Sequence, residues 1–161
     1  MKLTRMLPLV GVLLISASLL PVGCSSEDTP PVGWKKIDAG SFSLFAPPGW
    51  KFHRLLGVDS YVGEFVGDGV VLNFDFGEYS DSLDEDQASY VITYDLIGGL
   101  KAKIVRPRTA GHGLTGIYFA KATKFSLRDS LCLYGNDLDE TQQKLASRIF
   151  QTIRFKNASP P

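Results

Sequence analysis

The sequence predicts an α+β domain in which an antiparallel β-sheet of hairpins is packed by one C-terminal helix. Most of the body alternates between apolar and polar residues with the period of two that is typical of strands, as in VVLNFDF from Val70 onward. A helical period appears clearly once, after the sequence GND that ends at Asp137. With a length of 161 residues and no internal repeat, a single domain is expected.

Turn residues predict where the hairpins lie. YVGEFV and VVLNFDF flank residues 67–69, which read Gly-Asp-Gly. YVITYDLI and LKAKIVR flank Gly98 and Gly99, a two-residue loop that suits the primed turns of twisted hairpins. GIYFAKATKFSL and SLCLYG form a further pair with an expected turn at Arg128 and Asp129.

Capping residues and apolar spacing predict the helices. Asp137 and Glu140 have the form of a capping box, followed by a stripe of Leu138, Leu145, Ile149 and Phe150. TIRF then forms a short closing strand, and a shorter helix is expected to begin at Ser82, with Glu85 three residues later. The sheet and the C-terminal helix are expected to share one core, made of Phe42, Leu44, Leu72, Phe74, Leu145 and Ile149.

The opening FSLFAPPGW, the run of hairpins and the closing helix that leads into IFQTIRF are similar to the PsbP-like family of small αβα proteins. The resemblance covers Gly40 to Phe155. It implies a PsbP-like sandwich, an antiparallel sheet packed by helices. Members of that family, which include many exported bacterial lipoproteins, act mainly as accessory and binding proteins and share no catalytic set, so no site residue is transferred.

The first 23 residues are typical of an export signal. Lys2 and Arg5 precede an apolar run from Leu7 to Val22, which is 16 residues long, whereas a membrane-spanning helix needs roughly 20. The run ends in Val-Gly-Cys, which resembles the lipobox of bacterial lipoproteins, although Pro21 stands where that family usually has leucine. The resemblance implies that Cys24 carries a diacylglycerol thioether, with acyl chains such as palmitate, and begins the mature chain.

The segments after the signal follow from this interpretation. Residues 24–33 form a polar tether, 34–157 a single domain and 158–161 a tail. Ser25 after the cysteine resembles an outer-membrane signal, so a lipid anchor in the outer membrane, facing the periplasm, is expected. The alternative is a plain secreted protein in which Cys24 is incidental.

Charge and cysteine content exclude several classes of protein. Without Lys2 and Arg5 the mature chain keeps 17 − 2 = 15 basic residues against 17 acidic ones, a net charge of −2, which does not favour nucleic acid. Besides Cys24 only Cys132 remains, so no disulfide framework is expected. Cys132 lies between two leucines and is predicted to be a buried free thiol rather than a nucleophile.

Most motifs that carry chemistry lack their required context. GHGLTG at residues 111–116 fits a dinucleotide glycine pattern, but a strand-like run follows it where a helix is needed, so a loop is predicted. His53 and His112 have no partner at metal-ligand spacing, and no serine lies in the nucleophile-elbow pattern. The sequence therefore predicts no cofactor and no catalytic residue.

An acidic segment between residues 75 and 86 is the one candidate for a metal site. Asp75, Glu78 and Asp81 offer hard oxygen ligands, but their spacing is not that of a calcium-binding EF-hand loop. The preferred interpretation is a solvated loop that leads into a helix, whose first turn favours acids. The alternative function is a small metal-dependent envelope hydrolase that uses these acids.

Charges are segregated along the chain. Residues 55–100 contain ten acids and no Lys or Arg, whereas residues 101–128 contain seven basic residues and no acid. Pairing of the acidic hairpin with basic strands is the preferred reading. The alternative is a basic patch of Lys101, Lys103, Arg106 and Arg108 that binds an anionic lipid, a glycan or an envelope protein.

Together these observations favour a lipid-anchored, non-enzymatic binding or assembly module of the bacterial cell envelope. Its expected partners are the membrane, through the anchor, and an anionic component of the envelope.

Overall fold

Ten β-strands and one α-helix make up the part of the chain that the computed structural model describes, residues 30–122 and 129–156. The elements are β1 (Lys35–Asp38), β2 (Phe42–Ala46), β3 (Lys51–Arg54), β4 (Tyr61–Gly67), β5 (Val70–Gly77), β6 (Tyr90–Ile97), β7 (Leu100–Pro107), β8 (Leu114–Phe119), β9 (Ser130–Asn136), α1 (Glu140–Phe150) and β10 (Arg154–Phe155). The signal, Cys24 and the C-terminal tail lie outside these residues. Within them, no helix is long and apolar enough to cross a membrane.

The strands form two sheets, and every neighbouring pair is antiparallel. The large sheet has the order β3-β4-β5-β9-β8-β7-β6, and the small sheet has the order β1-β2-β10. The α+β class with one C-terminal helix is therefore confirmed. The small sheet is an addition to the single sheet that the sequence predicts.

The predicted hairpins are present, and their turns have the expected chemistry. β6 and β7 pair from Ile97 and Leu100 outward, and the two glycines between them have φ of 58° and 76°. These positive values at both central positions define the type I′ turn, which matches the twist of the strands. β8 pairs with β9 as predicted, although Arg128 of the expected turn lies outside the described residues.

The core lies between the large sheet on one side and α1 with the small sheet on the other. Five of the six predicted core residues are buried, namely Phe42, Leu44, Leu72, Phe74 and Ile149. Leu145 is only partly buried and packs at the edge of this cluster. The helix turns Ile149 and Phe150 inward as predicted, and Ala146 is buried in the place expected of Leu145.

The capping box of α1 lies two residues later than predicted. Asp139 is the N-cap, its carboxylate accepts the N–H of Gln142, and the Gln142 side chain accepts the N–H of Asp139. Asp137 is unavailable for this role because its carboxylate accepts the N–H of Gly113 at 2.8 Å. Its φ of 52° also takes it out of the extended conformation that an N-cap needs.

The helix predicted to begin at Ser82 is wrong, since residues 80–86 form an irregular loop. Leu83 has a φ of 53° and is buried against the face of the large sheet that α1 does not cover. There it packs with Val105 and Cys132 in a second, smaller cluster. A Cβ at Gly116 would lie 2.8 Å from Leu83 Cδ1, so the missing side chain makes room for this leucine.

We expect Ile149→Ala to lower the free energy of unfolding by about 2–5 kcal/mol, because it removes buried methyl groups and leaves a cavity under the sheet. Chemical denaturation followed by circular dichroism measures the change. Thr141→Ala, at an exposed position of the same helix, is the control and should change stability by less than about 0.5 kcal/mol. Equal effects of the two substitutions would contradict the assignment of the core face.

Candidate anion-binding groove

The structure divides the four residues of the predicted basic patch between the two faces of the large sheet. Lys101 and Lys103 point to the face covered by the loop of residues 78–89, which we call the acidic loop. Arg106 lies on the opposite face, beside α1. Arg108 follows the end of β7 and donates from Nε and Nη2 to the Gln87 carbonyl. The four side chains therefore do not form one surface.

Lys103 confirms that the acidic segment packs against a basic strand. Its ammonium donates to Asp84 Oδ1 at 2.6 Å and to the Ser82 carbonyl at 3.1 Å, and its side chain is only 14% exposed. Hydrogen bonds from Lys103 and Ser82, together with the charge of Lys103, lower the pKa of Asp84 below its ordinary value of 3.8. Lys101, by contrast, lies over the Tyr94 ring at 4.9 Å.

A groove of about 530 Å³ lies between Arg106 of β7 and the exposed side of α1. It is lined by Arg106, Glu140, Gln143, Lys144, Ser147 and Arg148. Three of these side chains are cationic and one is anionic, so the groove carries a net charge of +2. We call it the basic groove.

Two of the three cations contact neighbouring side chains. Lys144 Nζ donates to Glu140 Oε1 at 2.7 Å, one helical turn away, and the guanidinium of Arg148 lies 5.1 Å from the centre of the Trp34 ring. The Lys144 hydrogen bond lowers the pKa of Glu140, with smaller contributions from the charges of Lys144 and Arg106.

Of the groove cations, sequence reasoning named only Arg106. Lys144 and Arg148 lie four residues apart on the predicted helix, on the side that faces away from its apolar stripe, and this spacing was the available signal. The position of Trp34 under Arg148 is a contact between residues more than 100 positions apart, which no local pattern indicates.

Two of the three acids proposed as metal ligands accept hydrogen bonds from residues of the acidic loop. Asp75 Oδ1 accepts the Ser80 hydroxyl at 3.4 Å, and Asp81 Oδ1 accepts the Leu83 N–H at 2.8 Å. In residues 30–122 and 129–156 no group of three or more His, Cys, Asp or Glu side chains is placed to hold a metal ion. The acids act mainly as turn-forming acceptors.

Cys132 is a free thiol and is fully buried, as predicted. Burial, with smaller contributions from the charges of Asp81 and Asp75, raises its pKa to about 12. The thiolate is the reactive form, so the side chain is inert at neutral pH.

The two histidines lie apart. His53 Nδ1 is 3.1 Å from Glu64 Oε1 on the neighbouring strand β4. His112 lines a polar cleft of about 640 Å³ with Tyr90 and Arg108. The glycine pattern around His112 leads directly into β8, so it is the predicted loop and lacks the helix that a dinucleotide site requires.

Comparison with known proteins identifies no relative. No protein-family model, no curated protein and no solved structure matches the chain.

We expect Lys103→Gln to lower the melting temperature and Lys101→Gln to leave it unchanged, because Lys103 bonds to Asp84 and Ser82 of the acidic loop, whereas Lys101 lies over Tyr94 of β6. Thermal unfolding of both variants at pH 7 measures the difference. An equal loss in the two variants would contradict the role of the ion pair.

The same contact predicts a dependence on pH. Since the pKa of Asp84 is lowered on folding, the pair contributes fully above pH 3.8, and the contribution is lost as the pH falls through the lower pKa of the folded protein. Asp84→Asn should therefore destabilise the protein at pH 7 and have little effect well below pH 3.8. A stability difference that does not change with pH would contradict this.

Proposed function

We propose that the protein is a lipid-anchored, non-enzymatic binding or assembly module of the bacterial cell envelope, held in the outer membrane through Cys24 and facing the periplasm. Its basic groove binds anionic groups, and we take the headgroups of the anchoring bilayer as the ligand to test. We further propose that the fold is a PsbP-like sandwich, for which the single helix on an antiparallel sheet gives only coarse support.

The position of the basic groove next to the root of the tether carries this proposal. Only nine residues, 25–33, separate Cys24 from Trp34, and at about 3.3 Å each they span at most about 30 Å. Arg148 of the basic groove lies over the ring of Trp34, which is the first residue after the tether. One end of the groove therefore lies beside the end of the tether. A domain on so short a tether stays close to the bilayer, and anionic headgroups attract cations near the surface.

No specific observation favours the metal-dependent hydrolase. Asp75 and Asp81 accept hydrogen bonds from residues of the acidic loop, and in residues 30–122 and 129–156 no group of three or more His, Cys, Asp or Glu side chains is placed to hold a metal ion.

We expect Cys24→Ala to abolish membrane anchoring, because several acyl chains on one residue give stable binding and their loss removes it. The variant should move to the soluble fraction or remain as an uncleaved precursor, as measured by fractionation and by mass spectrometry of the N-terminus. Ser26→Ala is the control and should be anchored like the parent. An unmodified parent chain that starts at a residue other than Cys24 would overturn the proposed anchor.

We expect the tryptophan emission of the anchored protein to differ between vesicles with anionic phosphatidylglycerol and vesicles with only zwitterionic phosphatidylcholine. Trp50 is buried, so the difference reports Trp34 under Arg148. It should disappear in 1 M salt, where charges are screened within about 3 Å.

Substitutions assign this difference to the basic groove. It should also disappear in a variant with Arg106→Gln and Arg148→Gln, and it should persist with Lys101→Gln, an exposed cation on the other face of the sheet. Identical emission from the parent protein on both kinds of vesicle would refute headgroup binding while leaving the anchor at Cys24 intact.

A further inference from the structure

Strand β6 is an unusually open edge of the large sheet. Among the described residues, β7 is the only strand that pairs with it, and the pairing runs without a bulge over eight residues, from Tyr90 to Ile97. Natural edge strands are commonly protected by short length, lysine, proline or a bulge. The opposite edge, β3, has four residues and carries Lys51 and Arg54, whereas β6 contains neither lysine nor proline.

The backbone of β6 presents a regular row of hydrogen-bonding groups to the outside. Because a two-residue turn joins Ile97 to Leu100, these residues bond to each other, and every second residue before Ile97 also bonds to β7. The alternate residues, Ile92, Tyr94 and Leu96, therefore direct their N–H and C=O groups away from the sheet. The Leu96 N–H is covered by the Asp95 carboxylate at 2.8 Å, which leaves the outward groups of Ile92 and Tyr94 and the Leu96 carbonyl.

The side chains beside this row are apolar and exposed. Tyr94 is 61% exposed and Leu96 74% exposed, and both lie on the face that the acidic loop covers further along the sheet. Asp95, the only charged residue of β6, points to the other face, where its carboxylate accepts a hydrogen bond from Gln151. On the face of Tyr94, β6 itself carries no charged residue, and the nearest charge is Lys101 of β7, whose ammonium lies over the Tyr94 ring.

We propose that β6 pairs antiparallel with β6 of a second copy of the chain, about a two-fold axis at Tyr94, so that the two large sheets become one continuous sheet. In this register Tyr94 lies opposite Tyr94 of the second copy, Ile92 opposite Leu96, and Thr93 opposite Asp95. A symmetric interface of this kind repeats each contact twice.

The two neighbouring registers of this strand pair each bring an unfavourable contact. A two-fold axis at Asp95 places two carboxylates directly opposite each other, and like charges in that position destabilise a strand pair. An axis at Thr93 places Tyr90 opposite Leu96 and requires the Tyr90 N–H, which already donates to the Asp86 carbonyl at 2.9 Å. The axis at Tyr94 separates the carboxylates and leaves the Tyr90 N–H with Asp86. Because the Leu96 N–H stays with the Asp95 carboxylate, each Ile92–Leu96 pair is joined by one hydrogen bond, from the Ile92 N–H to the Leu96 carbonyl.

The symmetry also suits two anchored chains, a step that rests on the proposed anchor. The two-fold axis of an antiparallel strand pair is perpendicular to the sheet, so the helix-covered faces of both copies lie on the same side. Trp34, where the tether ends, packs with Arg148 of α1 on that side. Both tethers and both basic grooves then face the same bilayer.

The first test is the molar mass of the full chain in detergent, measured by light scattering after subtraction of the bound detergent. The wild-type chain is expected to be a dimer, and Tyr94→Lys should halve the mass, because two ammonium groups would meet at the axis beside Lys101. Tyr79→Lys is the matched control, since Tyr79 is 73% exposed and lies outside β6, and it should stay dimeric. A monomeric wild type, or a Tyr94→Lys variant that remains a dimer, overturns the proposal.

The second test fixes the register by cross-linking. Opposed hydrogen-bonded residues have Cα atoms about 5.5 Å apart, within the range that a disulfide requires. Tyr94→Cys should therefore form a disulfide-linked dimer under a mild oxidant, and Tyr79→Cys should not. Cys132 does not compete because it is buried. Equal cross-linking of the two variants would show random collision and would overturn the register. The outcome does not depend on lipid binding by the basic groove.

Discussion

The two sheets are held together by the packing of aromatic rings around Phe42. This residue belongs to the central strand of the small sheet, and its ring lies 5.1 Å from that of Phe74 and 6.0 Å from that of Phe65 in the large sheet. It also lies 6.4 Å from Phe155 of β10. Because the small sheet carries Trp34 next to α1, the position of the basic groove depends on this contact. Edge-to-face pairs of this kind add directional preference to simple burial.

In residues 30–122 and 129–156, a loop and not a helix packs on the second face of the large sheet. The acidic loop contributes the buried side chain of Leu83, and its polar groups make hydrogen bonds and an ion pair with the sheet. The Ser80 hydroxyl lies within hydrogen-bond distance of the carbonyls of Asp75, Gly77 and Ser130. On β7, the Lys103 ammonium donates to Asp84 of the acidic loop. A segment with few apolar residues can cover a sheet in this way, because its polar groups are satisfied where they are buried.

Sequence reasoning succeeded where structure is local and failed where it depends on distant residues. Alternating apolar residues and paired turn glycines were sufficient for the hairpins, since both signals lie within a few positions of each other. The helix at Ser82 was a reasonable local prediction, but tertiary burial of Leu83 overrode it. The capping box begins at Asp139 and not at Asp137, because the Asp137 carboxylate accepts the N–H of Gly113, 24 residues earlier. Of the three cations of the basic groove, the sequence indicated only Arg106, because β7, α1 and Trp34 come together only in the folded chain.

The segregation of charge along the chain becomes a partial segregation across the large sheet, since Lys101 and Lys103 share the face of the acidic loop. The acidic loop lies on one face, while Arg106, Lys144 and Arg148 lie on the other, beside α1. An anionic surface attracts the helix side and repels the acidic side, so it would orient the domain in the same sense as the proposed tether. In the proposed dimer, a two-fold axis perpendicular to the sheet keeps the helix sides of the two copies together, so their charge asymmetries add instead of cancelling. If the grooves bind headgroups as proposed, two grooves on one bilayer would bind multivalently, and the second contact would form at high effective concentration.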